Sequence, residues 1–271
     1  MTEPIRVTSL CIYPLKSARG IELQRLEVDA FGSRFDRRWM VVDREGHFLT
    51  QRQCPALARV AIRLQDGWIG LSASGMSEVF VPPGSEAAGE RDRVEVWGSD
   101  VEAVDVGAEG AAWISELLGL NARIVHLPEP EARPVEARRN GEPVRVAFAD
   151  RYPFLLVSEE SMDDLNARLD RPLPIDRFRA NLVVRGGGPF AEDRWERLKI
   201  GGIGFRVARL CARCVVTTVD QRTGQTGREP LRTLSRYRII DGKPRFGVNL
   251  VHSGTGVVEC GAVVELGQGT F

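Results

Sequence analysis

Cys211-Ala212-Arg213-Cys214-Val215-Val216-Thr217-Thr218-Val219-Asp220 sets a lone C-x-x-C pair in front of a threonine-rich run. A thioredoxin-like fold would place such a pair in a βαβ context, and no such alternation surrounds it. A zinc site would need a second pair, which Cys11, Cys54 and Cys260 do not form. The three histidines, His47, His126 and His252, show no ligand spacing. What remains is one thiol, or two, beside Arg213 and ahead of a predicted strand over 215–219. A cationic neighbour favours the thiolate, the form that attacks or binds metal. That arrangement suits a soft metal held by a single protein sulfur. The competing reading is a pair of core cysteines, since cysteine is among the most buried residue types.

Outside this stretch, the apolar runs are short and rich in valine and isoleucine: residues 5–12, 39–42, 60–64, 69–71, 94–97, 154–157, 181–184 and 205–207. Most are bounded within a few residues by Gly, Pro, Asp or Ser. They predict strands of a barrel or twisted antiparallel sheet. The 28 glycines and 15 prolines supply turns. Gly186-Gly187-Gly188 and Gly201-Gly202-Ile203-Gly204 miss the dinucleotide fingerprint and are expected as turns. One helix is predicted over 158–169, with Met162, Leu165 and Leu169 on one face, a serine cap and early acids at the positive dipole end. A second is predicted over 109–118, with Trp113 and Leu117 inward. Helices and strands do not alternate, which argues against a doubly wound parallel sheet. The proline-rich segment 128–143 is expected to be a linker or mobile loop, and 82–93 a solvated loop. A soft boundary near residue 126 divides the chain into modules 1–125 and 126–271. Arg236-Tyr237-Arg238 reads as a loop, followed by a strand through Phe246-Gly247-Val248-Asn249.

The chain of 271 residues is 43% hydrophobic and 27% charged, a normal globular profile. Lysine plus arginine equals aspartate plus glutamate at 37 each, so the net charge is zero. This argues against non-specific binding to nucleic acid or to an anionic membrane. A local basic pocket remains open, because arginine far outnumbers lysine and binds phosphate in bidentate fashion. Five cysteines without regular spacing suggest free thiols in a reducing compartment. The N-terminus carries no apolar signal region, and no run approaches the ~18 apolar residues of a membrane span. A soluble, cytoplasmic protein is expected.

Three further motifs carry chemistry. Tyr13-Pro14-Leu15-Lys16-Ser17 follows the first strand, where an ammonium and a hydroxyl can hold phosphate; a solvated turn is the alternative. Asp36-Arg37-Arg38-Trp39 leads into a strand, so its two arginines should face opposite ways, with a salt bridge to Asp36 as the alternative. If Asp176-Arg177-Phe178-Arg179-Ala180-Asn181 is strand, Arg177, Arg179 and Asn181 share a face suited to an anionic ligand; a solvated polar face is the alternative.

Together these residues resemble the MOSC family, the molybdenum cofactor sulfurase C-terminal domain proteins. Tyr13-Pro14-Leu15-Lys16-Ser17 and Asp36-Arg37-Arg38-Trp39 look like its N-terminal β-barrel module. Arg177-Phe178-Arg179-Ala180-Asn181, Glu192-Asp193-Arg194-Trp195 and Cys211-Ala212-Arg213-Cys214 with Thr217-Thr218-Val219-Asp220 look like the MOSC domain itself. The motifs keep the family's order and cover nearly the whole chain. The branch most similar contains the mitochondrial amidoxime reducing component and its bacterial relatives.

The resemblance implies a mainly β (α+β) fold: a β-barrel MOSC domain, an N-terminal β-barrel-like module and a few short helices. It implies a molybdenum cofactor, Mo-molybdopterin, with Cys214 as the metal ligand. Lys16, Ser17, Arg37, Arg179, Asn181 and Arg213 would hold the pterin and its phosphate. Asp220 is a catalytic candidate that would position protons or hold Arg213; a structural carboxylate is the alternative. Ala212 stands where the mitochondrial relatives carry a serine, which removes one candidate cofactor hydrogen bond. No N-terminal membrane anchor precedes the motifs and no iron–sulfur cysteine pattern follows them.

The implied activity is reduction of N-hydroxylated compounds, amidoxime-type N–OH to N–H, with electrons from a separate ferredoxin- or cytochrome-type protein. The rival is a sulfur-carrier or cofactor-handling protein with a persulfide on Cys214 or Cys211. A redox dithiol is a third option, opposed by the missing βαβ context. Odd spacing should aim the two cysteines apart, with Cys211 packing near the site.

Overall fold

The first strand, Arg6–Ile12, joins two parts of the molecule that are far apart in sequence. The computed structural model describes residues 3–83, 91–128, 132–139 and 142–267, with backbone alone at 136–139 and 142. Arg6–Ile12 pairs with Ile21–Leu23 on one side and antiparallel with Leu182–Arg185 on the other. From there the sheet runs through Phe154–Ser158, Lys243–His252, Ile203–Ala212, Arg197–Ile200 and Val264–Gly267. Backbone bonds from Val7 to Ala262 and from Val264 to Ile5 bring the two ends of this sheet round to each other. Alternate residues of these strands point inward, and Leu10, Ile12, Leu156, Leu182, Leu198, Phe205 and Leu250 pack as its core.

A four-stranded sheet, in the order Trp39–Asp43, Ala122–His126, Ser99–Asp105 and Arg91–Val96, forms the other half with a three-stranded sheet of Ala61–Gln65, Trp68–Ser72 and Val79–Val81. Helix α1, Ala108–Leu118, buries Trp113 and Ile114 there, while Leu117 packs on the same core. The two halves are stitched by the segment after the first strand. Lys16 donates its backbone N–H to Trp39, and Trp39 donates to Pro14.

Helix α2, Glu159–Asn166, begins where expected. Ser158 caps it by accepting the N–H of Ser161, and Met162 and Leu165 are buried. The Gly186–Gly188 and Gly201–Gly202 pieces are turns, with positive φ at Gly186, Gly188, Gly201 and Gly202. No helix among the described residues is long and apolar enough to cross a membrane.

Four expectations need correction. Residues 215–219 are not a strand: Val215–Thr218 is a 3-10 turn. Thr217 Oγ1 donates to Cys214 O and Thr218 Oγ1 to Val215 O, so local hydroxyl bonds override the β preference of valine and threonine. The loop expected at 236–238 belongs mostly to helix α3, Leu231–Tyr237, a segment too short to show a helical period. The segment expected as a linker contains a hairpin, Arg133–Arg139 with Glu142–Val146. Its period of two was readable: Arg133, Val135, Val144 and Val146 are buried, while Pro134, Pro143 and Arg145 are exposed. Of that segment, residues 129–131 and 140–141 lie outside the described residues. So do 84–90 of the loop expected over 82–93, which ends earlier than expected because a strand starts at Arg91.

Candidate functional site

A cavity of about 690 Å³ opens where the 13–17 segment, the 36–38 turn, the 178–181 segment and the end of strand Ile203–Ala212 converge. Nine of its lining residues are lysine or arginine, and Asp150 is the one acid among them. The chain is neutral as a whole, so this concentration of positive charge is local and points to an anionic ligand.

Lys16 and Ser17 both line the cavity. Lys16 Nζ donates to Phe148 O at 2.7 Å and pairs with Asp150. Burial pulls the Lys16 pKa down, against the pull of Asp150. Burial alone would raise Asp150, but Lys16 and Arg52 outweigh it and hold the carboxyl below its usual range. Ser17 adopts φ +70°, in the left-handed region, where its carbonyl accepts from Gln51 Nε2 at 2.7 Å.

Arg37 and Arg38 do diverge. Arg38 turns away to Asp29, at 2.6 Å, and Phe31. Arg37 borders the cavity, and the salt bridge to Asp36 forms as well. The guanidiniums of Arg37 and Arg179 lie 4.5 and 4.2 Å from the centroid of the Tyr13 ring, whose negative face favours both cations.

The segment from Arg177 to Asn181 is not strand. Ile175–Phe178 is a 3-10 turn, Arg179 follows at φ +55°, and the strand starts at Leu182. The expected common face therefore does not exist, and Arg177 departs from the site. It donates to Thr218 O at 3.1 Å and to Asp220 at 2.8 Å. Arg179 enters the cavity wall, held by Ala18 O at 2.6 Å and Gln221 Oε1 at 3.1 Å, with no carboxylate bonded to it among the described residues. Burial, followed in smaller measure by Arg37, lowers its pKa to about 10. Asn181 is 1% exposed. Its Oδ1 accepts from Arg37 and Leu155, and its Nδ2 donates to Cys11 O and Asp36. This uses the full capacity of the amide, so Asn181 orients Arg37.

Cys214 is half-buried at the cavity wall, and Arg52 Nη2 donates to its sulfur at 3.4 Å. Arg213 does not reach it. Arg213 Nη1 donates to Cys211 Sγ at 3.0 Å and Nη2 to Phe178 O, which leaves its buried Nε without a partner among the described residues. The two sulfurs thus face different arginines, yet both cysteines border the cavity. The period-two argument fails here because the strand ends at Ala212 and carries a bulge between Leu210 and Ala212.

Asp220 is not among the lining residues. Its carboxylate holds Arg177, not Arg213, and accepts the N–H groups of Arg222 and Thr223 to close the 220–224 turn. Glu192 and Asp193 are scaffold too. Glu192 accepts from Ser158 and Ser161, and Asp193 pairs with Arg238.

Sequence reasoning missed Arg52, Asp150 and Gln51. Gln51 and Gln221 exchange amide hydrogen bonds at 2.9 and 3.0 Å across the site, fixing both Ser17 and Arg179. No local motif marks these residues, since Lys16 lies 134 positions from Asp150, Gln221 lies 170 from Gln51 and Cys214 lies 162 from Arg52.

The MOSC N-terminal beta barrel domain matches residues 4–121, and the MOSC domain matches residues 143–265. Mitochondrial amidoxime-reducing component 1 of Mus musculus is 36% identical over 96% of this chain and 82% of its own length. The Homo sapiens protein of the same name is 35% identical over the same shares. Mitochondrial amidoxime reducing component 2 of Bos taurus is 35% identical over 89% of this chain and 77% of its own. Two domain matches in the order of the motifs, and this identity over nearly the full length, place the chain in the MOSC family, among relatives of the mitochondrial amidoxime-reducing components.

Proposed function

We propose that the chain is a molybdenum cofactor-dependent oxidoreductase that reduces N-hydroxylated compounds. In that reaction N–OH, two electrons and two protons give N–H and water. The observation that carries this reading is a half-buried thiol, Cys214, set beside Arg52 in the wall of a cavity lined by nine cations and one acid. The residues present fit the cofactor. Among the described residues Arg179 is a buried guanidinium without a carboxylate partner, which an anionic phosphate would satisfy. Ser17 Oγ has no protein partner among the described residues and faces the same space. A thiolate is a suitable soft donor to the metal.

When bound, the cofactor would supply the two-electron chemistry at nitrogen and oxygen. Lys16, Ser17, Arg37, Arg179 and Arg213 would hold its anionic and polar parts, with Asn181 acting through Arg37. Cys214 would offer the sulfur to the metal, its direction set by the N–H of Arg52. Asp220 would serve the scaffold through Arg177. Electrons would come from a separate ferredoxin- or cytochrome-type protein. Free cysteines agree with a reducing compartment such as the cytoplasm. The division into modules 1–125 and 126–271 is part of the proposal, although strands from both sides share one sheet.

A second reading, a persulfide carrier, draws on the presence of Cys211 at the same cavity, with Arg213 donating to its sulfur. Elemental analysis separates the two. Protein made in a cofactor-competent host with ample molybdate should hold close to one molybdenum per chain and release a pterin on denaturation. Metal-free protein from that host would refute the first reading.

A further inference from the structure

Strand Ile203–Ala212 carries two irregularities of register against Lys243–His252, one between Val207 and Arg209 and one between Leu210 and Ala212. Bulges of this kind re-aim side chains beside active sites. Here Arg209 and Cys211 both border the cavity. Arg209 lies directly opposite Asn249 in the ladder, so their side chains emerge on one face with Cβ atoms about 5 Å apart. Asn249 borders the cavity as well. Among the described residues, neither side chain makes a hydrogen bond or ion pair. The one acid lining the cavity, Asp150, is engaged by Lys16 and Arg52.

Asn249 also pairs with Leu155, and Leu155 O accepts the N–H of Asn181. Asn181, Leu155, Asn249 and Arg209 therefore form one row across the sheet. Three strand spacings separate its ends, about 14 Å. Arg209 thus stands at the opposite end of this row from Asn181, which holds Arg37. Cys214, by contrast, is five residues from Arg209, at most ~18 Å between Cα atoms. An arginine side chain and a small aryl molecule span that distance together.

We propose that Arg209 and Asn249 form a carboxylate-binding subsite, and that the preferred substrates are N-hydroxylated compounds carrying a carboxylate. The guanidinium and the amide N–H group supply the directional donors that a planar carboxylate accepts. The substrate part of this inference rests on the proposed reductase activity; the anion subsite does not.

The test compares 4-carboxybenzamidoxime with benzamidoxime as substrates of the cofactor-loaded protein. Wild type should favour the carboxylated compound. Arg209→Gln should lower that preference, the ratio of the two kcat/KM values, about tenfold and mainly through KM, the size expected for one exposed charge-assisted hydrogen bond. Arg209→Lys should restore part of it. Independently, benzoate titrated into the cofactor-free chain by NMR should bind about tenfold more weakly to Arg209→Gln. An equal preference in wild type and Arg209→Gln overturns the proposal. So does a lower cofactor content in Arg209→Gln, which would give the anion to the cofactor. If wild type reduces neither compound, the reductase reading falls, and the benzoate titration alone decides the subsite: unchanged affinity rejects it.

Discussion

Arg177 and Arg179 flank Phe178 and are both nearly buried, at 8% and 9% exposure, yet the fold uses them oppositely. Arg177 meets Asp220 and Thr218 O, so its charge is matched within the protein. Arg179 meets a carbonyl, an amide and the Tyr13 ring, with no carboxylate bonded to it among the described residues, and it borders the cavity. A buried guanidinium with its own carboxylate is scaffold; one without it calls for an anion from outside. The cysteines divide similarly. Both border the cavity, but Cys211 packs against the apolar cluster of Phe178 and Phe246, whereas the Cys214 sulfur accepts from Arg52.

The sharpest way to break this contrast is at the thiols. Cys214→Ser should abolish benzamidoxime reduction with a chemical reductant, a loss of about a thousandfold or more, since a hydroxyl is a harder donor than a thiolate. Cys211→Ser should keep most of the activity. Equal losses in two well-folded variants would favour the persulfide reading, and full activity in Cys214→Ser would remove it as the ligand.

Next comes the arginine pair. Arg179→Ala should weaken cofactor retention about a hundredfold, read as pterin left after gel filtration. Arg177→Ala should retain cofactor and instead lose stability. The reverse pattern would mean that charge pairing does not distinguish ligand site from scaffold here.

A half-buried base sharpens the rule. His126 packs against Trp39 and, unlike a guanidinium, can give up its proton. Burial, with Arg38 nearby, lowers its pKa to about 4. Between about pH 6.5 and 4 the unfolded chain binds a proton there that the folded chain does not. Stability should therefore fall as pH drops through that window, by about 2–3 kcal/mol from this residue. Urea melts of wild type and His126→Gln across that range should show a shallower slope in the variant; parallel slopes would clear His126 of the role. The smallest effect is the stability cost of Arg177→Ala, about 1–2 kcal/mol for a broken, partly exposed ion pair, visible as a lower melting temperature.

Much of the fold was legible because strands announce themselves locally. Alternation in 6–12 and the runs at 39–43 and 154–158 needed no distant information. The errors have separate local causes. At 215–218, threonine hydroxyls bonding three residues back decide for a turn. At 133–146, prolines on the exposed face disguised an alternating hairpin. At 177–181, a left-handed residue at 179 separates side chains that a strand would have aligned.

The sequence by itself determined the mainly β architecture, the family, and the short basic segments that border the cavity, because those are written in local pattern and in motif order. Only the tertiary structure decided which cation serves which partner. Arg52 reaches Cys214 across 162 positions, Asp150 engages Lys16 across 134, and Gln51 locks onto Gln221 across 170. Charge pairing depends on distance and burial in space, and neither is a property of neighbouring residues in the chain.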